Sequence, residues 1–195
     1  MKVTLQDKRG FPIDPGIVFV AVNETEEVRI REDRQRRHLL EFGCGKRGNI
    51  TRRKFQSLVR KMTQVAKEGG YRKLVLSLED FYFPQLKDVT DCELVSLLVQ
   101  NVGIANFIFD RFKSKAERKK IRELFIIAEV TTERKHGVER GKKIAHEVNQ
   151  CRMLANTPGG HMTPQLLAEA AKGAVKNTKI KLIILGKKEL EREKM

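Results

Sequence analysis

Asn156-Thr157-Pro158-Gly159-Gly160-His161-Met162-Thr163-Pro164-Gln165-Leu166-Leu167-Ala168 reads as one helix ending and another beginning. Thr157 precedes a proline and is pushed away from helical dihedrals, and Gly159-Gly160 supplies a loose turn. Thr163 is placed to cap the next helix, with Pro164 at its first position, where a missing N–H costs nothing. This stretch is therefore a joint, and what lies on either side of it sets the architecture.

Before the joint, strands and helices alternate. Ile17 to Val22 is a compact apolar run that reads as a buried strand. Val28 to Arg31 alternates weakly, and Leu39 to Phe42 is another short strand. From Thr51 to Lys67 the period changes, with Phe55, Leu58, Val59, Met62 and Val65 forming one stripe of an amphipathic helix that Gly69-Gly70 ends. Leu74 to Leu78 is a strand, followed by a turn near Pro84. Asp91 opens a helix whose Leu94, Leu97, Leu98, Val102 and Ala105 face inward. A basic loop or short helix spans Lys113 to Glu123. Leu124 to Val130 is the strongest strand, suited to the middle of a sheet. Val138 to Ala155 is helical, with Ile144, Val148, Cys151 and Ala155 on one side.

After the joint come a helix over Pro164 to Val175, a strand over Ile180 to Leu185, and a final helix-like segment. The alternation predicts an α/β fold. The early short strands predict a mixed sheet, partly antiparallel.

The joint carries a resemblance as well. Arg152-x-Leu154-x-Asn156-x-Pro158, then Thr163-Pro164-x-x-Leu167-Ala168, resembles the interdomain junction of the leucyl (cytosol) aminopeptidase family. Leu39-Leu40-Glu41-Phe42-Gly43-Cys44-Gly45-Lys46 followed by a helix resembles that family's strand, Gly-x-Gly-Lys turn and helix. Asn106-Phe107-Ile108-Phe109-Asp110-Arg111-Phe112-Lys113-Ser114 resembles its aromatic segment before a basic loop. The first 38 residues match poorly and look shortened.

The resemblance implies a macro-domain-like N-terminal domain over residues 1–132, a linker helix over 133–155, and an incomplete start of the metallopeptidase domain over 156–195. It further implies a cytoplasmic enzyme that removes N-terminal residues from peptides, assembles as a hexamer, and uses two divalent metals, zinc or manganese. The metal ligands of such enzymes come after the segment that Gly186 to Met195 resembles. The chain is thus expected to be truncated before them, and no catalytic, metal or cofactor-binding residue is carried over.

Composition sets the competing readings. Forty lysines and arginines against 25 acidic residues give a net charge of +15, clustered at Arg29 to Arg37, Lys46 to Lys54 and Lys113 to Arg122. Such a surface attracts polyanions, so a basic α/β nucleic-acid-binding module, with DNA as partner, is the alternative reading. A solvated basic surface explains the same charge. Two tyrosines and no tryptophan supply little for base stacking. Cys44, Cys92 and Cys151 are odd in number and unpaired in spacing, which suits a reducing cytoplasm. No apolar region follows Met1-Lys2, so no secretory signal is expected, and no run is apolar enough to span a membrane.

Four groups remain as candidate chemistry. Gly43-Cys44-Gly45-Lys46-Arg47-Gly48 satisfies G-x-G-x-x-G between a strand and a helix, which suits a phosphate cradle for a nucleotide or ADP-ribose. A plain strand-to-helix turn satisfies it equally. Glu79-Asp80 at a strand end suits a divalent cation or a solvated turn. His38, His136, His146 and His161 lack metal-ligand spacing. Cys44 beside Lys46 could carry a lowered thiol pKa.

Overall fold

The computed structural model describes residues 1–7, 14, 16–34, 36–114 and 119–195. The chain divides into two compact units, residues 1–149 and 150–195.

The first unit is built on a six-stranded mixed sheet. Its strands are β1 (Lys2–Gln6), β2 (Ile17–Asn23), β3 (Val28–Glu32), β4 (His38–Gly43), β5 (Lys73–Ser77) and β6 (Glu123–Ile127), in the spatial order β1-β6-β5-β2-β4-β3. All neighbours run parallel except β3, which pairs antiparallel to β4 at the edge. The expected partly antiparallel sheet is therefore present.

Strand alternation decides which residues reach the core. The register aligns Val18 and Val20 with Leu74 and Leu76, and those with Leu124 and Ile126. Val20 and Val22 stand beside Leu40 and Phe42. All of these are buried on one face of the sheet. Helix α1 (Arg52–Glu68) links β4 to β5, and helix α2 (Asp91–Ala105) links β5 to β6. Phe55, Leu58, Val59 and Met62 of α1, and Leu94, Leu97, Leu98 and Val102 of α2, join those strand residues in a single apolar core.

Both helices start on a threonine cap. The Thr51 hydroxyl accepts the Lys54 N–H (3.4 Å) and the Thr90 hydroxyl accepts the Glu93 N–H (3.2 Å). Helix α1 ends where expected, with Gly70 taking the left-handed conformation at φ +81°.

Two strands of the sheet differ from the sequence reading. Strand β1 was not anticipated, because its five residues carry only two apolar side chains, Val3 and Leu5, which pack against the core edge. Strand β6 is an interior strand but stops at Ile127, and Val130 is exposed. Of the basic stretch Lys113 to Glu123, residues 115–118 lie outside the described residues, and the described part holds no helix.

Helix α3 (Thr132–Asn156) is longer than predicted and buries a different face. Val148, Cys151 and Ala155 are exposed, whereas Gly137, Val138, Gly141 and Ala145 are buried. Backbone proximity is the reason. A Cβ on Gly137 would stand 2.5 Å from the Cys92 carbonyl oxygen, and one on Gly103 would stand 2.7 Å from the Ala145 Cβ. Small residues every fourth position let α3 approach α2 more closely than an aliphatic stripe would.

In the second unit, helix α4 (Pro164–Val175) begins as predicted, with the Thr163 hydroxyl accepting the Leu166 N–H at 3.3 Å. A short helix α5 (Lys187–Arg192) closes the chain. The predicted strand over residues 180–185 does not form. A strand exists only by pairing, and no described segment pairs with it.

Candidate functional site

The glycine turn after β4 is a structural joint. Gly43 donates its N–H to the Glu27 carbonyl (2.8 Å), Cys44 to the Asn23 carbonyl (2.9 Å) and Gly45 to the Thr25 carbonyl (2.9 Å). These three N–H groups, the ones a phosphate would need, are thus consumed by the connection between β2 and β3. A Cβ on Gly43 would fall 2.4 Å from the Thr25 carbonyl oxygen, and Gly45 sits at φ +68°, so both glycines serve the chain's own backbone.

Arg47, one of the two basic residues of this turn, is also engaged internally. The Arg47 N–H donates to the Glu24 carboxylate (2.8 Å), and its guanidinium donates to the carbonyls of Asp80 (2.8 Å) and Tyr82 (3.2 Å). The same guanidinium lies 4.6 Å from the centre of the Phe83 ring. Arg47 therefore fastens the loop after β5 to the turn after β4. The Cys44 thiol is pushed up by burial, which outweighs the nearby positive charge of Arg47. The expectation of a lowered thiol pKa is thereby overturned.

Glu79-Asp80 lies in a short 3-10 turn after β5. The Asp80 carboxylate accepts the Val22 N–H (3.4 Å), and burial raises its pKa above the ordinary carboxylate value. This is a strut from the loop to β2. Among the described residues no group of three or more His, Cys, Asp or Glu side chains is placed to hold a metal ion. The described residues do not fit a metal centre.

The histidines are dispersed. His38 meets the Tyr71 hydroxyl through Nδ1 (2.9 Å) with the two rings edge to face. His136, His146 and His161 are exposed.

A cluster that the sequence did not reveal joins the start of α2 to the start of α3. Arg134 donates through Nε to Asp91 (2.8 Å), through Nη1 to the Glu129 carbonyl (3.0 Å) and through Nη2 to the Tyr82 hydroxyl (3.3 Å). Tyr82 in turn donates to Asp91 (2.7 Å). Burial first, and then the bond to the Asp91 carboxylate, push the Tyr82 phenol up. Its members are 43 and 9 residues apart in the chain, a spacing that carries no motif.

In the first basic cluster three arginines are paired with the protein's own carboxylates. Arg29 pairs with Glu27, Arg31 with Glu41, and Arg37 with Asp33 (2.6 Å). Arg37 also stacks over Phe19 at 4.9 Å. In the second unit Leu166, Leu167, Ile180, Ile183, Ile184 and Leu185 are all exposed. Among the described residues no helix is long and apolar enough to cross a membrane.

No family model matches the chain. Its sequence is similar to the probable cytosol aminopeptidase of Haemophilus influenzae strain PittEE, with 26% identity over 155 residues, covering 79% of this chain and 31% of that protein. The probable cytosol aminopeptidase of Mannheimia succiniciproducens is 27% identical over 154 residues, covering 77% and 31%. The chain thus spans less than a third of the length of these relatives. In fold it is similar to a tomato leucine aminopeptidase mutant, with a TM-score of 0.81 at 16% identity, over the whole of this chain and 46% of that one. A bottromycin maturation enzyme in complex with manganese gives a TM-score of 0.66 at 18% identity, covering 84% and 36%. Sequence and fold together relate this chain to the cytosol (leucyl) aminopeptidase family and match it to an N-terminal portion of those proteins.

Proposed function

We propose that the chain is the N-terminal portion of a metal-dependent exopeptidase that removes N-terminal residues from peptides in the cytoplasm. The observation that carries this reading is the similarity to cytosol aminopeptidases across 79% of the chain. In this reading residues 1–132 are the macro-like domain, 133–155 the linker helix, and 156–195 the beginning of the peptidase domain. Two divalent metals, zinc or manganese, and a hexameric assembly belong to the whole enzyme by resemblance, and catalysis resides outside these 195 residues. What this chain contributes is a folded platform whose struts, Arg47 and Asp80, fix the loops at one end of the sheet.

The nucleic-acid reading is not favoured. The relatives are aminopeptidases, and the arginines of the β3 edge are engaged with the protein's own carboxylates.

The test is an assay of the 195-residue chain with manganese or zinc and an aminoacyl chromogenic substrate. The expected result is no turnover. Turnover that a chelator abolishes would overturn the placement of catalysis outside this chain.

A further inference from the structure

The parallel strands β2, β5 and β6 begin side by side at one end of the sheet, and a cavity of about 340 Å³ opens among their starts. Arg72 and Arg122 line it as neighbours. The Arg72 N–H donates to the Gly16 carbonyl (2.9 Å), and the Arg72 carbonyl accepts the N–H groups of Arg122 (2.7 Å) and Glu123 (3.2 Å). The Arg122 carbonyl accepts the Lys2 N–H (2.8 Å). Tyr71 and Ile121, the residues before the two arginines, are buried in the core. Both arginine backbones are thus fixed, while their side chains are exposed. Gly16 and Gly70 border the same space with no side chain to fill it, and a Cβ on Gly70 would meet nothing within 4 Å.

Two carboxylates share the cavity, and neither answers the arginines. Asp14 accepts the Gly16 N–H through Oδ1 (2.8 Å) and the Lys73 ammonium through Oδ2 (2.7 Å). Glu123 faces the same ammonium at 3.8 Å. Arg72 and Arg122 have no ion pair and no side-chain hydrogen bond among the described residues. Arg29, Arg31 and Arg37 towards the β3 edge each close on a carboxylate instead. Two adjacent guanidinium charges repel one another, and a bound anion removes that cost.

We propose that this cavity binds the phosphate group of a small phosphate monoester, clamped between Arg72 and Arg122. Such a group carries close to two negative charges and three acceptor oxygens at neutral pH, which suits two unneutralised forks. A single carboxylate is satisfied by one fork. The cavity falls in the size range of small-molecule sites, so the body bearing the phosphate has room. Recognition rests on side chains, because the N–H groups of Arg72, Lys73, Arg122 and Glu123 all donate to backbone carbonyls. Glu123 is the one group that opposes the anion, and Lys73 offsets it.

Thermal melts of the 195-residue chain with phenyl phosphate, inorganic phosphate and benzoate, at constant ionic strength, test this. Both phosphates are expected to raise the midpoint to a plateau, phenyl phosphate at the lower concentration, and benzoate to bind about tenfold more weakly. Arg72→Gln and Arg122→Gln are each expected to weaken phosphate binding about tenfold or more. Glu123→Gln is expected to tighten it about threefold by removing the opposing charge, and Arg29→Gln to leave it unchanged. A midpoint that climbs without a plateau, equally in every variant, overturns the proposal, since that is the general action of phosphate on protein hydration. Benzoate binding as tightly as phenyl phosphate overturns it in favour of a carboxylate pocket. Inorganic phosphate binding more tightly than phenyl phosphate overturns the assignment to an ester. Duplex DNA binding that Arg72→Gln weakens, with no plateau for either phosphate, overturns it in favour of a polyanion surface.

Discussion

Gly141 of α3 lies directly against Ser96 of α2: a Cβ at Gly141 would stand 2.7 Å from the Ser96 carbonyl oxygen and 2.8 Å from the Val99 Cβ. The obstacle is backbone, which cannot rotate away as a flexible side chain would. Gly141→Ala must therefore push the helices apart. The intrinsic helix preference of alanine, about 1 kcal/mol, offsets only part of an overpacking cost of about 1–3 kcal/mol. The expected outcome is a net loss of stability in the first unit, read as a lower denaturant midpoint. Gly173 in α4 supplies the contrast, since nothing lies within 4 Å of a Cβ there. Gly173→Ala is expected to stabilise its helix by about 0.5–1 kcal/mol, read by helicity or amide exchange.

The sheet and the helices α1, α2 and α4 were legible because each depends on a local pattern. Short apolar runs placed β2, β4 and β5; a three-and-four stripe placed α1; and Thr163-Pro164 placed the start of α4. Failures came where a long-range partner decides. Strand β1 is a strand because β6 pairs with it, and residues 180–185 are not one because no described strand does. On α3 the aliphatic residues suggested one face and the glycines occupied another. The Arg134–Asp91–Tyr82 cluster depends on three distant segments and leaves no spacing to read.

Arg47 is expected to be a stability residue. It donates to two backbone carbonyls and stacks on Phe83, a geometry that the compact ammonium of lysine cannot reproduce. Arg47→Lys should cost about 1–2 kcal/mol in a denaturant titration, through lost hydrogen bonds and lost cation–π contact. An unchanged midpoint would show that the loop after β5 is held by Phe81 and Phe83 packing on Phe55 alone.

Asp80 and Asp14 pull the acid limb of stability in opposite directions. Burial raises the Asp80 pKa in the folded state, so its protonated form is favoured there. The folded state then binds more protons than the unfolded state, and the contribution of Asp80 is lost as pH rises from the ordinary carboxylate value through the raised one. The hydrogen bond from Lys73, at 2.7 Å, lowers the Asp14 pKa, so its contribution is present at neutral pH and is lost as pH falls through that lowered value. Relative to wild type, Asp80→Asn is expected to gain stability as pH rises through its window. Asp14→Asn is expected to lose stability over the same direction of change. Thermal midpoints of the two variants between acid and neutral pH check both signs, and parallel curves for the two would contradict the assignment.

The glycine turn after β4 is expected not to bind nucleotides or ADP-ribose. A phosphate cradle needs several backbone N–H groups pointing at one anion, reinforced by a helix N-terminus. Here the N–H groups of Gly43, Cys44 and Gly45 already donate to Glu27, Asn23 and Thr25, and that of Arg47 donates to Glu24. Binding would have to break bonds that fix β3 to its neighbours before any new ones formed. Thermal melts with ADP-ribose, ATP and inorganic phosphate should therefore show no saturable shift that a substitution at Gly45 alters. A shift that saturates with ADP-ribose, and that disappears on replacing Gly45 with valine, would demonstrate that the turn opens to accept an anion.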